Sequence, residues 1–502
     1  MTAPHSILIK PVVLALTMLL AGCAVGPTYE KPVTVSPDTW KEAPAAQGWV
    51  VAAPADADDR GEWWKVFGDA ELNELAARVQ VSNQNIAAAV ANYDQAQALV
   101  REQRAGLFPT LGLSGNARRS GDRSVPIVAG SAGVSLDADW TPDIWGNLRA
   151  AVNSAQAQAQ ASAADLAAAR LSAIGLLASS YFSLREADAE GLLLDDTIEG
   201  YERSYTITRN RYEAGIAPQS DVLQAQTQLV NARADRVVLR RTRDTLEHAI
   251  AVLVGAAPAE FSLVALSAWK PVVPIVPLDI PSTLLQRRPD IAAAERAVAA
   301  ANAQIGIARA AYYPSLTLSA TAGTTSLRWQ DLFSAPQLVW SFGLSASQVL
   351  FDAGAIGARV DAAKAAHAAS VAGYRQTVLT AFQNVEDQLT ATASLAQQET
   401  LRREASVAAD KTEQQFLNRY RAGQVSYTDV VTAQASALSA RRTVLQVQVS
   451  RQAAAVGLIQ GLGGGWGADW LQDKATDKAT DNATDKVTDK VTQTDKAAVS
   501  AR

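Results

Sequence analysis

The 502-residue chain carries one cysteine, two methionines and three histidines. One cysteine excludes an intrachain disulfide, and so few soft ligands exclude a thiolate or thioether metal site. His5 lies in the first 22 residues, which leaves His248 and His367 alone on helical stretches. No nucleophile elbow and no zinc motif is present, so catalytic residues, cofactor-binding residues and metal ligands are all expected to be absent. Aromatic residues make up only 6% of the chain and the net charge is −5, and no motif for phosphate or base contact occurs. A nucleic-acid partner is therefore excluded. GLGGGWG at Gly461 lacks the lysine and the preceding strand of a phosphate loop, and reads as a helix C-terminus. Beyond the N-terminal segment no stretch reaches the roughly 18 apolar residues of a spanning helix. If the chain crosses a membrane, strands must do it.

The lone cysteine has a particular place. Lys10 precedes an apolar run from Pro11 to Leu20, and Leu20-Ala21-Gly22-Cys23 follows. A short apolar core ending in small residues is an export signal, here residues 1–22. The sequence resembles a bacterial lipoprotein box, in which Cys23 becomes the lipidated first residue. Ala24 stands where lipoproteins of the inner membrane typically carry aspartate, which points to the outer membrane.

Two long segments are repeated. Arg211–Arg233 reads RYEAGIAPQSDVLQAQTQLVNAR and Arg419–Arg441 reads RYRAGQVSYTDVVTAQASALSAR, identical at 10 of 23 positions and 208 residues apart. Upstream, NIAAA at Asn85 and FPTLGLS at Phe108 recur as DIAAA at Asp290 and YYPSLTLS at Tyr312, 205 residues on. A period near 200 is far longer than a solenoid unit, so each half is a whole structural unit.

Within each half the pattern changes period. Asp69 to Leu107 reads as helix and ends at Pro109. Ser131–Trp140 then alternates strictly: Ala132, Val134, Leu136, Ala138 and Trp140 against Ser131, Gly133, Ser135, Asp137 and Asp139. Thr110–Ser114 alternates likewise. In the second half Leu316, Leu318, Ala320 and Ala322 oppose Ser315, Thr317, Ser319 and Thr321, and Trp340, Phe342, Leu344 and Ala346 oppose Ser341, Gly343, Ser345 and Ser347. Period two gives strands with one apolar and one polar face, about the length that spans a tilted bilayer. Trp140, Trp145, Trp329 and Trp340 fall near strand ends, where an aromatic belt lies.

Proline is then missing from Asn147 to Tyr212 and again from Ala355 to Tyr420, 66 residues each. A helix of that length runs about 100 Å. Leu194, Ile198, Tyr201, Tyr205 and Tyr212 form a heptad seam. Gly215 and Gly423 end these helices, and Ser220-Asp221 and Thr428-Asp429 start the return helices with a capping hydroxyl and an acid suited to the N-terminal dipole. The organisation expected is a signal (1–22), an N-terminal lipidated segment (23–68), a first repeat (69–256), a proline-rich linker (257–288), a second repeat (289–465) and a C-terminal segment (466–502) whose Thr-Asp-Lys units cannot bury a core. Four strands cannot close a barrel and no edge is tolerated in lipid, so the chain must oligomerise. The polar faces favour a lumen, hence three chains rather than two.

GCAVGPTYEKP at Gly22, WWKVFGDAELNEL at Trp63, LLQRRPDIAAAE at Leu284, the two tip motifs and GLGGGW at Gly461 resemble, as an ordered set, the outer membrane factor (TolC-like) family, in its lipoprotein branch of nodulation-T-type efflux proteins. The match spans Gly22 to Trp466. The resemblance implies a mainly α protein with a transmembrane β-barrel: a trimeric channel-tunnel with four strands per chain and a periplasmic α-helical barrel. It further implies the exit duct of a tripartite efflux pump for small toxic compounds, with a periplasmic adaptor, an inner-membrane transporter of the RND type and outer-membrane lipid as partners. By motif position Asp429 falls at an aperture-lining acid, Asp221, Tyr420 and Tyr212 at gating contacts, and Gly215, Ser220, Val222, Gly423, Thr428 and Val430 at adaptor-docking tips. The family's second aperture acid is Thr432 here, which weakens the ring. An exit duct for type I protein secretion, or a structural envelope lipoprotein, are the other readings; for Asp221 and Asp429 the other role is helix capping.

Overall fold

The structure, a computed structural model, describes residues 25–34, 40–41, 61–121, 128–274, 288–327 and 338–464. The export segment, Cys23, Trp49, Trp329, linker residues 275–287 and the C-terminal tail lie outside the described residues. A 3-10 turn at Trp63–Phe67 leads into α1 (Ala70–Ser82) and α2 (Gln84–Ala105), then the hairpin β1 (Thr110–Gly121) and β2 (Val128–Trp140), then α3 (Asn147–Glu213) and α4 (Gln219–Leu253). After a short turn at Pro258–Glu260 the order recurs: α5 (Pro289–Ala310), β3 (Ser315–Ser326), β4 (Leu338–Ser347), α6 (Ala355–Arg421) and α7 (Tyr427–Gly461). The duplication seen in sequence is thus a duplication of elements. Two compact units are present, one holding the described residues of Met1–Thr34, Ala91–Ala163 and Ala293–Gln376, the other those of Val35–Val90, Ala164–Ala292 and Thr377–Arg502.

The first unit contains one antiparallel sheet of order β1-β2-β3-β4. Its register keeps the alternation of all four strands in phase. Leu113, Leu136, Ala322 and Trp340 form one row across the sheet, and Gly112, Asp137, Thr321 and Ser341 form the next, on the opposite face. A slip of one residue at any ladder would mix the faces. Among the described residues nothing covers the apolar face: Leu113 and Trp340 are each 78% exposed. On the polar face, Asp137 accepts hydrogen bonds from Ser114 Oγ (2.7 Å), Ser135 Oγ (3.1 Å) and Thr321 Oγ1 (2.9 Å), so three strands are tied together by one carboxylate. At Gly323 the neighbouring strand leaves no room for a side chain, since a Cβ there would lie 2.4 Å from the Val134 carbonyl oxygen.

Where strands meet helices, side chains close the open ends. Trp140 Nε1 donates to the Leu107 carbonyl (3.0 Å) and Trp145 Nε1 to that of Pro314 (2.8 Å), with the Trp145 ring stacked on Tyr313 at 4.8 Å. Asp143 caps the amides of Leu148 and Arg149 at the head of α3, and Asp352 caps Gly354 and Ile356 at the head of α6. The segment 25–34 is fixed on α5. Gly26 sits against Gly306, Tyr29 donates to Glu295 (2.6 Å), and Asn302 donates to the Pro27 carbonyl (3.1 Å).

The second unit holds the main core, in which Trp64, Tyr181, Phe182, Leu177, Ile250 and Val385 are fully buried or nearly so. Arg185 is wholly buried there. It pairs with Asp188 (2.8 Å) and Glu71 and donates to the Val264 carbonyl, while Arg243 closes the circuit to Asp188, Glu247 and the Leu263 carbonyl. These partners offset the burial of the guanidinium, whose Nε is left without one.

Three expectations need correction. The helix read as continuous from Asp69 to Leu107 breaks at Asn83, whose side chain accepts from Asn85 N and Ile86 N and donates to the Leu253 carbonyl, so it caps α2 and ties it to α4. That contact is non-local and leaves no proline or glycine in the sequence. Second, α3 does contain an 18-residue window long and apolar enough to cross a membrane, with mean hydropathy 1.3. The same helix carries Ile174, Leu177, Ala178, Tyr181 and Phe182 into the core, and 39% of the window is buried. The third is the start of the two return helices, which lies upstream of Ser220 and Thr428.

Candidate functional site

The helix tips lie in the second unit. α3 runs to Glu213 and α6 to Arg421, and both end through the same hydrogen bonds. Ile216 N donates to the Arg211 carbonyl and Gly215 N to that of Tyr212, each at 2.8 Å; Gln424 N and Gly423 N repeat this with Arg419 and Tyr420 at 2.9 Å. This six-to-one and five-to-two pair requires a left-handed residue. Gly215 (φ 73°) and Gly423 (φ 74°) supply it.

The return helices begin two residues earlier than their Ser-Asp and Thr-Asp pairs suggest. α7 is capped by Ser426, whose Oγ accepts from Asp429 N, while the Asp429 carboxylate accepts from Ser426 N (3.1 Å): a complete capping box. α4 is preceded by Pro218 and has no side-chain cap, so Ser220 and Asp221 sit inside its first turn. The hydroxyl of Thr428 instead meets Gln224 (3.2 Å), and that of Thr432 bonds back to the Thr428 carbonyl. Position i or i+2 of a polar tetrapeptide is not resolved by composition alone.

Around these turns the structure brings some of the expected residues together and leaves others apart. Tyr420, Tyr427, Val430 and Ala225 form a small buried cluster, with the two tyrosine rings edge to face at 5.2 Å. Tyr420 Oη donates to Asp221 at 3.5 Å, a long bond. Val222 is half-buried. Tyr212, Gly215, Ser220, Gly423, Thr428 and Asp429 are exposed. Of the heptad seam, Leu194 and Tyr201 are buried and Tyr205 packs beside the cluster, while Tyr212 remains 43% exposed. Burial is the main reason the Tyr420 and Tyr427 hydroxyls titrate above the usual tyrosine range.

Sequence reasoning missed Arg211. Its guanidinium lies 4.9 Å from the Tyr420 ring centre and Nη1 donates to the carbonyls of Tyr420 (3.2 Å) and Arg421 (3.1 Å). It therefore caps the C-terminus of α6 from a neighbouring helix, where a cation meets the negative end of the dipole. Its signal was available: it opens the repeated motif, directly before Tyr212.

A family model described as outer membrane efflux protein matches residues 75–256 and again 280–464. The chain belongs to the outer membrane efflux protein family. It is an outer-membrane exit channel for efflux, and the family is one of channels rather than enzymes. Among relatives of this efflux protein, the probable efflux pump outer membrane protein TtgC of Pseudomonas putida is 31% identical, covering 89% of this chain and 93% of the relative. The cation efflux system protein CusC of Escherichia coli is 28% identical over 89% of this chain and 96% of the relative. Among solved structures, the outer-membrane channel OprN superposes with a TM-score of 0.81 at 29% identity, covering 88% of this chain and all of that one. The uncovered apolar sheet face accordingly belongs in the outer membrane.

Proposed function

We propose that three copies close a twelve-stranded barrel through the free edges of β1 and β4 and serve as the exit duct of a tripartite efflux pump. One observation carries this reading: among the described residues, a four-stranded sheet with one uncovered apolar face, one hydroxyl-rich face and two unpaired edges. Lipid demands that those edges pair, and the hydroxyl face then lines a lumen. The helices extend the duct on the periplasmic side, where a periplasmic adaptor docks on the tips at Gly215, Ser220, Val222, Gly423, Thr428 and Val430 and links the duct to an inner-membrane transporter of the RND type. The repeats 69–256 and 289–465 act as its two structural halves. Cys23 carries a lipid, and the fixed segment 25–34 ties that anchor to α5. Export of small molecules is favoured over protein secretion because TtgC and CusC are both named for efflux.

In this reading Asp429 forms a three-fold acidic ring at the aperture, with Asp221, Tyr420 and Tyr212 holding neighbouring tips. Native mass measurement of the detergent-solubilised protein should give three chains; a stable monomer sinks the barrel. Single-channel recording then tests the gate. Asp429→Ala should lower cation preference, and Asp221→Ala or Tyr420→Phe should raise closed-state conductance. No change in any of the three returns these residues to capping and packing.

A further inference from the structure

The two tips are related by a shift of 208 residues, so every contact the first tip makes to the second has a counterpart from the second tip to a first tip. Within one chain that counterpart is unmade. Arg211 is half-buried on Tyr420, while its equivalent Arg419 is exposed; Tyr420 is 4% exposed, while its equivalent Tyr212 is 43% exposed. The donor of one repeat and the acceptor of the other are both exposed, and among the described residues Arg419 has only the Phe416 ring of its own helix beside it, at 5.9 Å. In a ring of head-to-tail copies each such surface meets its complement on the next chain.

We propose that Arg419 caps the first tip of the adjacent copy, donating to the carbonyls of Tyr212 and Glu213 and lying over the Tyr212 ring, as Arg211 does for the second tip of its own chain. The inference rests on the trimeric reading above. Charge supports it. Arg211 reaches carbonyls beside a like-charged Arg421, whereas the equivalent of Arg421 in the first repeat is Glu213, an acid at the end of α3. Glu213 already pairs with Arg209 (2.8 Å), so Arg419 meets an acid that is part-neutralised where its twin meets a bare cation. The same shift carries the Tyr420–Asp221 contact to Tyr212 and Asp429 across chains. Both Ser426 contacts of the Asp429 carboxylate use Oδ2, so Oδ1 is not engaged by Ser426.

The sheet provides an independent arm for the test. β3 follows β1 by 205 residues and β4 follows β2 by 208, and the pairing Asp137↔Thr321 of β2 and β3 transposes to Ser345 of β4 opposite Asn116 of the adjacent β1. Both lie on the polar face, as closure requires.

Three double-cysteine variants decide the matter. Ser345→Cys/Asn116→Cys is oxidised directly, since opposed Cα atoms of an antiparallel pair suit a disulfide. Arg419→Cys/Tyr212→Cys and Arg211→Cys/Tyr420→Cys are treated with a short bis-maleimide, with the parent chain as background. On denaturing gels the first two should give bands of two and three chains, and the third should stay at one. A sheet pair that links chains while the 419/212 pair does not overturns the tip inference and leaves the trimer standing. Failure of both, with no three-chain species by native mass, removes the trimeric reading as well. A second readout covers disruption by the cysteines: Arg419→Ala should lower severalfold the trimer fraction that survives heating in detergent, with Arg419→Lys partly restoring it. Survival equal to the parent overturns the inference.

Discussion

The first and second tips share 10 of 23 residues and the same turn, with glycines at φ 73° and 74°, yet their tyrosines differ tenfold in exposure. Tyr420 packs against Tyr427 and under Arg211; Tyr212 faces outward. Gln219 stands where the second repeat has Tyr427, and Pro218 stands where it has the capping Ser426. Equal local sequence therefore gives equal backbone, and unequal neighbours give unequal burial. The second tip is a packed knot, and the first is half of a contact.

The strongest test removes the packed ring. Tyr420→Ala should cost about 3–5 kcal/mol locally, in the range for deleting a buried aromatic ring. Hydrogen exchange across residues 205–225 and 412–435 should show the loss of protection. Tyr212→Ala should cost clearly less, because that ring is 43% exposed within the chain; equal effects would erase the asymmetry.

Next in size is a change that should ignore the asymmetry. Gly215→Ala and Gly423→Ala each force a left-handed Cβ and should cost about 1–2 kcal/mol alike, because space is open at Gly215 and the closest atom to a Cβ at Gly423 is 4.0 Å away. A clear difference between them, read by exchange at the turn amides, would show that tertiary contacts reach the turn itself.

The caps should differ more modestly. Ser426→Ala should weaken the start of α7 by about 1 kcal/mol, and Ser220→Ala should do almost nothing because that hydroxyl caps no helix. Exchange rates of the first-turn amides check both.

The smallest effect is in pH. The raised Tyr420 and Tyr427 hydroxyls stay protonated in the fold where an unfolded tyrosine ionises, so their contribution is complete below the ordinary tyrosine value of about 10 and falls as pH rises above it. Near-ultraviolet titration should show tip loosening in that alkaline window, reduced in Tyr427→Phe.

The sheet was the most legible part of the chain. Period two in Ser131–Trp140 and its relatives placed each side chain on the correct face, because a strand has only two faces and the register keeps them in phase. The long helices were legible through missing proline, and their ends through glycine. The break at Asn83 was not, because it depends on the Leu253 carbonyl far along the chain. The repeated motif singles out Arg211 but not its role: charged residues recur along every helix, and only folding decides which one lies over a tyrosine.

The sequence alone determined the duplication, the alternating strands, the helix lengths and the glycine turns, since each follows from local sterics and side-chain period. Tertiary structure decided which copy of a repeated residue is buried, which serine caps a helix and which arginine reaches a carbonyl end. Those outcomes depend on what stands opposite. A chain that repeats itself meets two different opposites: its own other half, and open surface.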